Sequence, residues 1–345
     1  MTPSHIYWFA HYNMKGPCVR YRGKYFLEAL KEKYGIGYSF VVPGYSPRNI
    51  LHFIRIYFSA LLFRKPGSLI VFQKIYTRGI YANALKILLY LRKEATIYDL
   101  DDAYYLKFPS CTMHHFMKQV SMVTVGSLEL ELYTRQFNRH VFLNTSPVIG
   151  HQCIKDGRDG HFTVGWIGFY NAHRENLEKL FFPCLSHLDF PIRLVILGVT
   201  KAEHRIFLKN FFSSMKQVEL VIPDEIEWLD EVSIYQRIVQ FDVGVSPLLE
   251  TEMNRAKSAF KLKQYLSSGI PVLASPVGEN KRFIRDGSNG FLCHNSFDFY
   301  NRIEQIYKMP QIDYAQISHH ARMSIEQFSM DQYCKTFLEL VDVTI

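Results

Sequence analysis

Short runs of consecutive apolar residues alternate along this chain with longer segments whose apolar positions recur every three or four residues. The short runs, each closed by turn residues, predict strands covered on both faces; the longer segments predict the helices that cover them. Residues 6–11 form the first run, followed by the loop Asn13-Met14-Lys15-Gly16-Pro17. Helical spacing over 21–33 ends at Tyr34-Gly35, and 38–42 is a strand closed by Pro43-Gly44. Residues 50–63 predict a helix stopped before Pro66-Gly67, 68–72 a strand, 81–91 a helix and 95–98 a strand. A short helix at 103–106 and strands at 120–125 and 141–143 complete this array. Alternation of this kind predicts a parallel sheet with helices on both faces.

The pattern then restarts. Residues 151–160 are polar, with two Gly and two Asp, and read as a linker. Beyond it, strands are predicted at 162–167, 192–198, 218–222, 243–246, 271–274 and 291–292. Helices are predicted near 175–188, 202–212, 233–240 and 261–266, a short one at 283–285, and a final one at 331–340. Two βα arrays with a polar joint describe two Rossmann-like domains, and a cleft between such domains is the default ligand site. A length of 345 residues, beyond the usual reach of one hydrophobic core, agrees with two domains.

Composition changes this picture little. Hydrophobic residues make up 48% and charged residues 21%, so the chain is globular rather than disordered. A formal net charge of +8 calls for an anionic partner or surface. The chain has no basic run, zinc-finger spacing or RNA-binding signature, which argues against nucleic acid. A phosphate-rich small molecule or an anionic membrane face fits better. Cys18, Cys111, Cys153, Cys184, Cys293 and Cys334 are scattered without a CxxC pair, as expected of reduced thiols in a cytosol. The start of the chain lacks the basic and apolar regions of a signal peptide. The apolar segment 50–63, closed by Arg64-Lys65, is too short for a bilayer span of ~20 residues. It can lie in a membrane interface with its basic end toward lipid phosphates; a core helix is the alternative.

Candidate chemistry concentrates between residues 257 and 290. A polar loop, Lys257-Ser258-Ala259, enters a helix beginning Phe260-Lys261, the helix stops at Gly269, and Pro271 opens a buried strand. A helix N-terminus presents unpaired N–H groups to a phosphate, and Lys257 and Lys261 add cations near it. Gln264, one turn in, can reach a ribose hydroxyl. Pro276-Val277-Gly278-Glu279-Asn280 follows the strand at its carboxyl end, where open α/β sheets hold ligands. Lys263 points to the other side of the helix and is expected to be solvated.

In joint order, Phe260-Lys261-x-x-Gln264-Tyr265, Gly269-Ile270-Pro271-Val272, Gly278 and Asp286-Gly287-x-Asn289-Gly290 resemble the donor-binding region of family 4 of the retaining glycosyltransferases, which have the GT-B fold. Phe241-Asp242-Val243-Gly244-Val245-Ser246-Pro247-Leu248 and Val164-Gly165-Trp166-Ile167-Gly168 look like the strands around that region. The resemblance covers 163–290 well and the first half in layout only. It implies an α/β GT-B protein with two Rossmann-like domains facing each other across a cleft. Residues 1–150 would take the acceptor, 160–330 the nucleotide-diphosphate sugar, and 331–345 would pack back on the first domain. No cofactor and no metal are implied.

The family's two glutamates, eight positions apart, fall here on Ala256 and Gln264, so both carboxylates are missing. The usual Arg and Lys after the first strand of the donor domain fall on Phe169 and next to Arg174. Lys257 and Lys261 then become the candidates for stabilising the departing diphosphate. Gly16, Gly168, Arg174, Ser258, Phe260, Gln264, Glu279 and Asn280 are the donor-side candidates. In Tyr98-Asp99-Leu100-Asp101-Asp102, Asp101 falls on the family's His at the reacting centre and Asp102 on the Asp beside it. Helix capping is the alternative for either, and a divalent metal, conceivable for such a motif, is argued against by the resemblance. Arg20 is an acceptor-phosphate candidate, as is Arg22, with solvated arginines at a helix start the alternative. The reading is a retaining hexosyltransferase acting on a glycan or lipid-linked acceptor in bacterial surface polysaccharide or glycoconjugate synthesis, cytoplasmic or peripheral on the inner membrane face. The rival is a non-catalytic nucleotide-sugar or lipid-phosphate binding protein.

Overall fold

The computed structural model describes residues 2–108, 111–149, 155 and 160–344. The chain divides into two compact units, Met1–Ile149 with Ala256–Ser258 and Phe328–Ile345, and Gly150–Arg255 with Ala259–Gln327. Most of the stretch read as a linker, including Cys153, lies outside the described residues. Lys155 within it is docked on the second unit, its N–H on the Ser268 carbonyl and its ammonium 3.2 Å from Asp242.

The first unit is built on β1 (His5–Ala10), β2 (Gly37–Val41), β3 (Leu69–Gln73), β4 (Thr96–Leu100), β5 (Met122–Val125) and β6 (Val141–Leu143). They pair in parallel in the order β2-β1-β3-β4-β5-β6. Helices α1 (Tyr25–Tyr34), α2 (Pro47–Leu62), α3 (Ile80–Leu91), α4 (Cys111–Gln119) and α5 (Leu128–Thr134) connect them. Helix α1 is preceded by a π-helical turn, Val19–Lys24, and ends at Gly35 in the left-handed conformation that glycine adopts most readily. One sheet face, with Trp8, Val71 and Ile97, packs against Phe26 and Leu30 of α1 and against Tyr333 and Phe337 of the chain's last helix.

The second unit repeats the design with β7 (Thr163–Ile167), β8 (Ile192–Leu197), β9 (Val218–Val221), β10 (Val243–Ser246), β11 (Val272–Ala274) and β12 (Gly290–Leu292). Their order is β12-β11-β10-β7-β8-β9, again parallel. The helices are α6 (Tyr170–Asn176), α7 (Phe182–Leu185), α8 (Ala202–Phe212), α9 (Glu231–Ile238), α10 (Glu252–Arg255), α11 (Phe260–Ser267), α12 (Glu279–Phe283), α13 (Ser296–Lys308) and α14 (Gln311–Met323). The last helix of the chain, α15 (Met330–Thr344), belongs to the first unit. Trp166, Leu194 and Val245 of the sheet pack with Phe181 and Phe299 in the second core.

In each sheet the chain reverses its lateral direction once. The reversal falls between β1 and β3 in the first unit and between β7 and β10 in the second. Loops leaving neighbouring strands at such a point diverge to opposite faces and leave a crevice at the carboxyl ends. The crevice residues are therefore fixed by topology: His11 and Lys74 in one unit, Gly168 and Pro247 in the other.

Two expectations are corrected. The short helix expected at 283–285 is instead Glu279–Phe283, because Gly278, with a φ of 53°, opens the helix and Asn289 Nδ2 takes the Phe283 carbonyl at 3.0 Å, closing it. Lys263 is fully buried rather than solvated, its stem inside the unit and its ammonium 5.3 Å from the centre of the Phe283 ring.

Candidate functional site

In the first unit, the crevice end of the sheet gathers charge. Lys74, immediately after β3, is buried with a left-handed φ of 57°, a conformation that costs a non-glycine residue about 1–2 kcal/mol. Its N–H bonds the Asp99 carbonyl at 2.8 Å. The side chain reaches the end of β4, where Nζ lies 2.7 Å from Asp101 and 2.9 Å from Asp102. The Tyr104 ring sits 4.4 Å from the same ammonium. Burial, reinforced by Asp102, raises Asp101 above the usual carboxylate range against the pull of Lys74. Burial pushes Asp102 the same way, but Lys74 and then Lys257 outweigh it and hold Asp102 low. Two adjacent carboxylates thus differ in proton affinity, the arrangement that separates an acid from a base.

Around this cluster stand the rings of Tyr12, Tyr76, Tyr104 and Phe108. Tyr76 and Tyr104 stack at 4.6 Å, and the Tyr76 hydroxyl donates to that of Tyr12 at 2.7 Å. The His11 ring lies 4.4 Å from Tyr76, and its buried Nδ1 has no hydrogen-bond partner. Burial, and then Lys74, push His11 down to about 4, so it is neutral at pH 7. The sequence reading placed Asp101 and Asp102 here but missed Lys74 and His11. The signal available for Lys74 was chemical: two carboxylates closing a buried strand require a cation.

The arginines expected as solvated or phosphate-binding are buried. Arg22 donates from Nε to Asp99 at 3.1 Å and from Nη2 to the other oxygen of the same carboxylate. Asp99 also accepts from Thr124 Oγ1 at 2.7 Å and Gln73 Nε2 at 3.2 Å. Arg20 Nη1 donates to the carbonyls of Met14 and Lys15, both at 2.9 Å. The two carbonyl contacts anchor the loop after β1 on Arg20, whose burial rules out the solvated alternative. In that loop Gly16 has ordinary backbone angles and room for a side chain, with the nearest atom to an added Cβ 3.5 Å away. No local strain explains its glycine.

The tripeptide Ala256–Ser258 docks on this unit. Its Ala256 carbonyl accepts from Ser127 Oγ at 2.8 Å, and Ser127 also caps α5. A Cβ on Gly126 would stand 3.2 Å from both the Asp101 Cα and the Ser258 Cβ, so the missing side chain admits both. Lys257 and Ser258, expected on the donor side, are thus placed beside Asp101 and Asp102. Ala256, at the position where a glutamate was expected, is buried and uses its backbone.

In the second unit, Gly168, with a φ of 154°, ends β7 beneath Lys261. A Cβ there would meet the Lys261 ammonium at 3.2 Å and the Trp166 ring at 3.0 Å. Lys261 lies 4.5 Å from the centre of that ring, half-buried, on the first turn of α11. Ala259 precedes α11 at a left-handed φ of 50° and gives it no side-chain cap. Tyr265 Oη accepts from the Ile167 N–H at 2.8 Å, pinning α11 to the end of β7. Phe260 is half-buried at the start of the same helix and Gln264 is buried one turn further.

Gly278 is required where it stands, because a Cβ would overlap the Arg255 carbonyl. It lets α12 begin at the end of β11, with Glu279 paired to Arg282 at 2.9 Å and Asn280 Nδ2 on the Ser246 carbonyl at 3.1 Å. Asn280 Oδ1 is buried without a partner. Arg174 is exposed on α6, 3.5 Å from Glu178. Among the described residues, no group of three His, Cys, Asp or Glu side chains is placed to hold a metal ion.

Residues 161–309 match the family model described as glycosyl transferases group 1. No curated protein sequence matches the chain. The structure of Anabaena Alr3699/HepE in complex with UDP-glucose is similar, with 13% sequence identity and a TM-score of 0.69 over 98% of this chain and 99% of that one. Sucrose-phosphate synthase from Thermosynechococcus elongatus has 12% identity and a TM-score of 0.72 over 99% of this chain and 98% of its own. The lipopolysaccharide outer core galactosyltransferase WaaB in its apo form has 12% identity and a TM-score of 0.65, covering 99% and 100%. The chain has the GT-B fold, and the match over 161–309 supports a group 1 glycosyltransferase.

Proposed function

We propose that the protein transfers a sugar, with retention at the anomeric carbon, from a nucleotide diphosphate to an acceptor hydroxyl. We place it in family 4 as a variant without the usual glutamate pair, a hexosyltransferase building a surface polysaccharide or glycoconjugate. The observation that carries the reading is the coincidence of the matched segment, 161–309, with the crevice where Lys261, on the first turn of α11, lies over Gly168 and Trp166. Similar folds have been solved with UDP and UDP-glucose, which makes a uridine diphosphate sugar the first donor to test.

In the reaction, the acceptor oxygen bonds to the anomeric carbon as the bond from that carbon to the phosphate oxygen breaks. The electron pair stays on the departing diphosphate, which takes the acceptor's proton. Negative charge therefore grows on the leaving group, and Lys261 with the first amides of α11 would stabilise it. Gln264, Glu279 and Asn280 would orient the nucleotide and sugar hydroxyls. In the first unit Asp101, fixed by Lys74, would accept from the attacking hydroxyl and hold it on the face that the diphosphate leaves, while Asp102 and the tyrosine rings bind the acceptor, a glycan or lipid-linked sugar.

A panel of UDP-, GDP-, ADP- and CMP-sugars tests the donor assignment by thermal shift. A donor at about 100 times its Kd stabilises the folded state by about 2.7 kcal/mol. UDP-sugars are expected to raise the unfolding temperature most. Absence of a shift with every nucleotide sugar at millimolar concentration would refute a donor site.

A further inference from the structure

The basic excess of the chain is local. Residues 33–93 contain ten Lys and Arg and no Asp or Glu, whereas the other 284 residues carry thirty basic against 32 acidic side chains. The whole net charge of +8 therefore arises in one stretch of 61 residues. That stretch folds as β2, α2, β3 and α3, with α2 and α3 packed side by side. Their contact is made by Phe53 and Tyr81, 5.1 Å apart, and by Arg92 Nε on the Leu61 carbonyl at 2.7 Å.

Both helices are apolar on the face that does not meet the sheet. On α2, Ile50, Ile54, Phe58 and Leu62 recur every four residues and are all exposed, Leu62 to 58%. On α3, Ile80, Ile87, Tyr90 and Leu91 form a second exposed stripe, with Ile80 at 91% and Tyr90 at 83%. Helices over a sheet normally turn polar residues outward, and adjoining exposed stripes of this kind mark an interaction surface. Arg48, Arg55 and Lys65 are exposed along the same segment.

At the end of α2 lies a cavity of about 430 Å³, lined by Leu62, Arg64, Lys65, Ser68 and Arg92, with one acid, Glu94. Burial, and then the neighbouring Arg92, push the Arg64 guanidinium below its ordinary value. Cations around an apolar face, ten between residues 33 and 93 with Glu94 just beyond them, complement a lipid surface with anionic headgroups. A second copy of this chain would bring like charge against like.

We infer that the outer face of α2 and α3 docks on an anionic lipid bilayer, with the apolar stripes entering the headgroup region and a lipid phosphate at the Arg64–Lys65–Arg92 cavity. Docking by this face stands apart from the catalytic reading, since it needs no nucleotide sugar. Among the described residues no helix is long and apolar enough to cross a membrane, so the contact is interfacial.

Cosedimentation of the full chain with vesicles tests it, comparing phosphatidylcholine alone with phosphatidylcholine containing about 30% phosphatidylglycerol. Binding to the anionic vesicles is expected to be at least about tenfold tighter and to weaken with salt. Ile54→Gln with Phe58→Gln on α2, and Ile87→Gln with Tyr90→Gln on α3, should each weaken binding about tenfold or more. Arg48→Gln, Arg55→Gln and Lys65→Gln together should remove the preference for anionic lipid. All these side chains are exposed, so the variants keep the wild-type unfolding temperature. Equal partition to both vesicles, or α3 variants that bind like wild type, would overturn the proposal. So would a dimer in light scattering that the α2 variant dissociates.

Discussion

Lys261→Ala lowers kcat for sugar transfer by about 10²- to 10³-fold, the loss seen when one preorganised charge-stabilising group is removed from a reacting centre. The size of the effect follows from placement. Lys261 sits on the first turn of α11, over Trp166 and Gly168, where its charge adds to that of the helix N-terminus. Its side chain is only half-buried, so the unfolding temperature should change little. Lys261→Arg keeps the charge but spreads it over a larger group above the ring, and should recover part of the rate. If the change falls on KM with kcat intact, Lys261 binds donor and transition state alike and is not the leaving-group cation. The contrast with Lys257 is informative, because that residue docks on the first unit and its charge bears on Asp102.

Asp99→Ala destabilises the first unit by about 3–5 kcal/mol, as expected when one member of a buried ion pair is removed. Three side chains, Arg22, Gln73 and Thr124, converge on this carboxylate. Burial disfavours the charged Arg22, and Asp99 outweighs that effect, raising it well above its ordinary value. Without Asp99 the guanidinium remains in a dry core with no paired carboxylate, holding only the Asn144 carbonyl by hydrogen bond. Each unit has its own core, so calorimetry should show the transition of the first unit moving down while that of the second stays. Asp99→Asn, which keeps the shape, should cost less. A loss under about 1 kcal/mol for the alanine variant would mean that the Asn144 carbonyl, or water entering the core, suffices for the buried guanidinium, and that the ion pair contributes little.

The strands were the legible part of this sequence. Each short apolar run, from 6–11 to 291–292, lies in or beside a strand of one of the two sheets, because parallel strands buried on both faces need uninterrupted apolar residues. Helices in the last third were harder to read. Helices α13 and α14 bury few residues each, Phe299, Ile303 and Ile306 on one and Tyr314, Ile317 and Ala321 on the other, so their periodicity is sparse. The polar chemistry of the first unit was misread for a related reason. Arg20 and Arg22 look like solvated residues at a helix start, and only the long-range partner of Arg22, Asp99, seventy-seven positions away, reveals it as core. Lys74 escaped altogether, since its left-handed backbone and its two carboxylate partners leave no mark in the local pattern. The motif around 257–290 was visible, but spacing alone did not show that Ala256–Ser258 leaves the second unit to dock on the first.

The most direct test of a sugar-transfer site is turnover. The purified chain is incubated with each nucleotide-diphosphate sugar, with and without glycan and lipid-linked acceptors, and free nucleotide diphosphate is measured together with the anomeric configuration of the product. Expected is release from at least one donor, dependent on acceptor, with the donor's configuration kept in the product and the rate lost in Lys261→Ala. Donor binding without release across the whole panel would contradict the assignment and leave a nucleotide-sugar binding protein in its place.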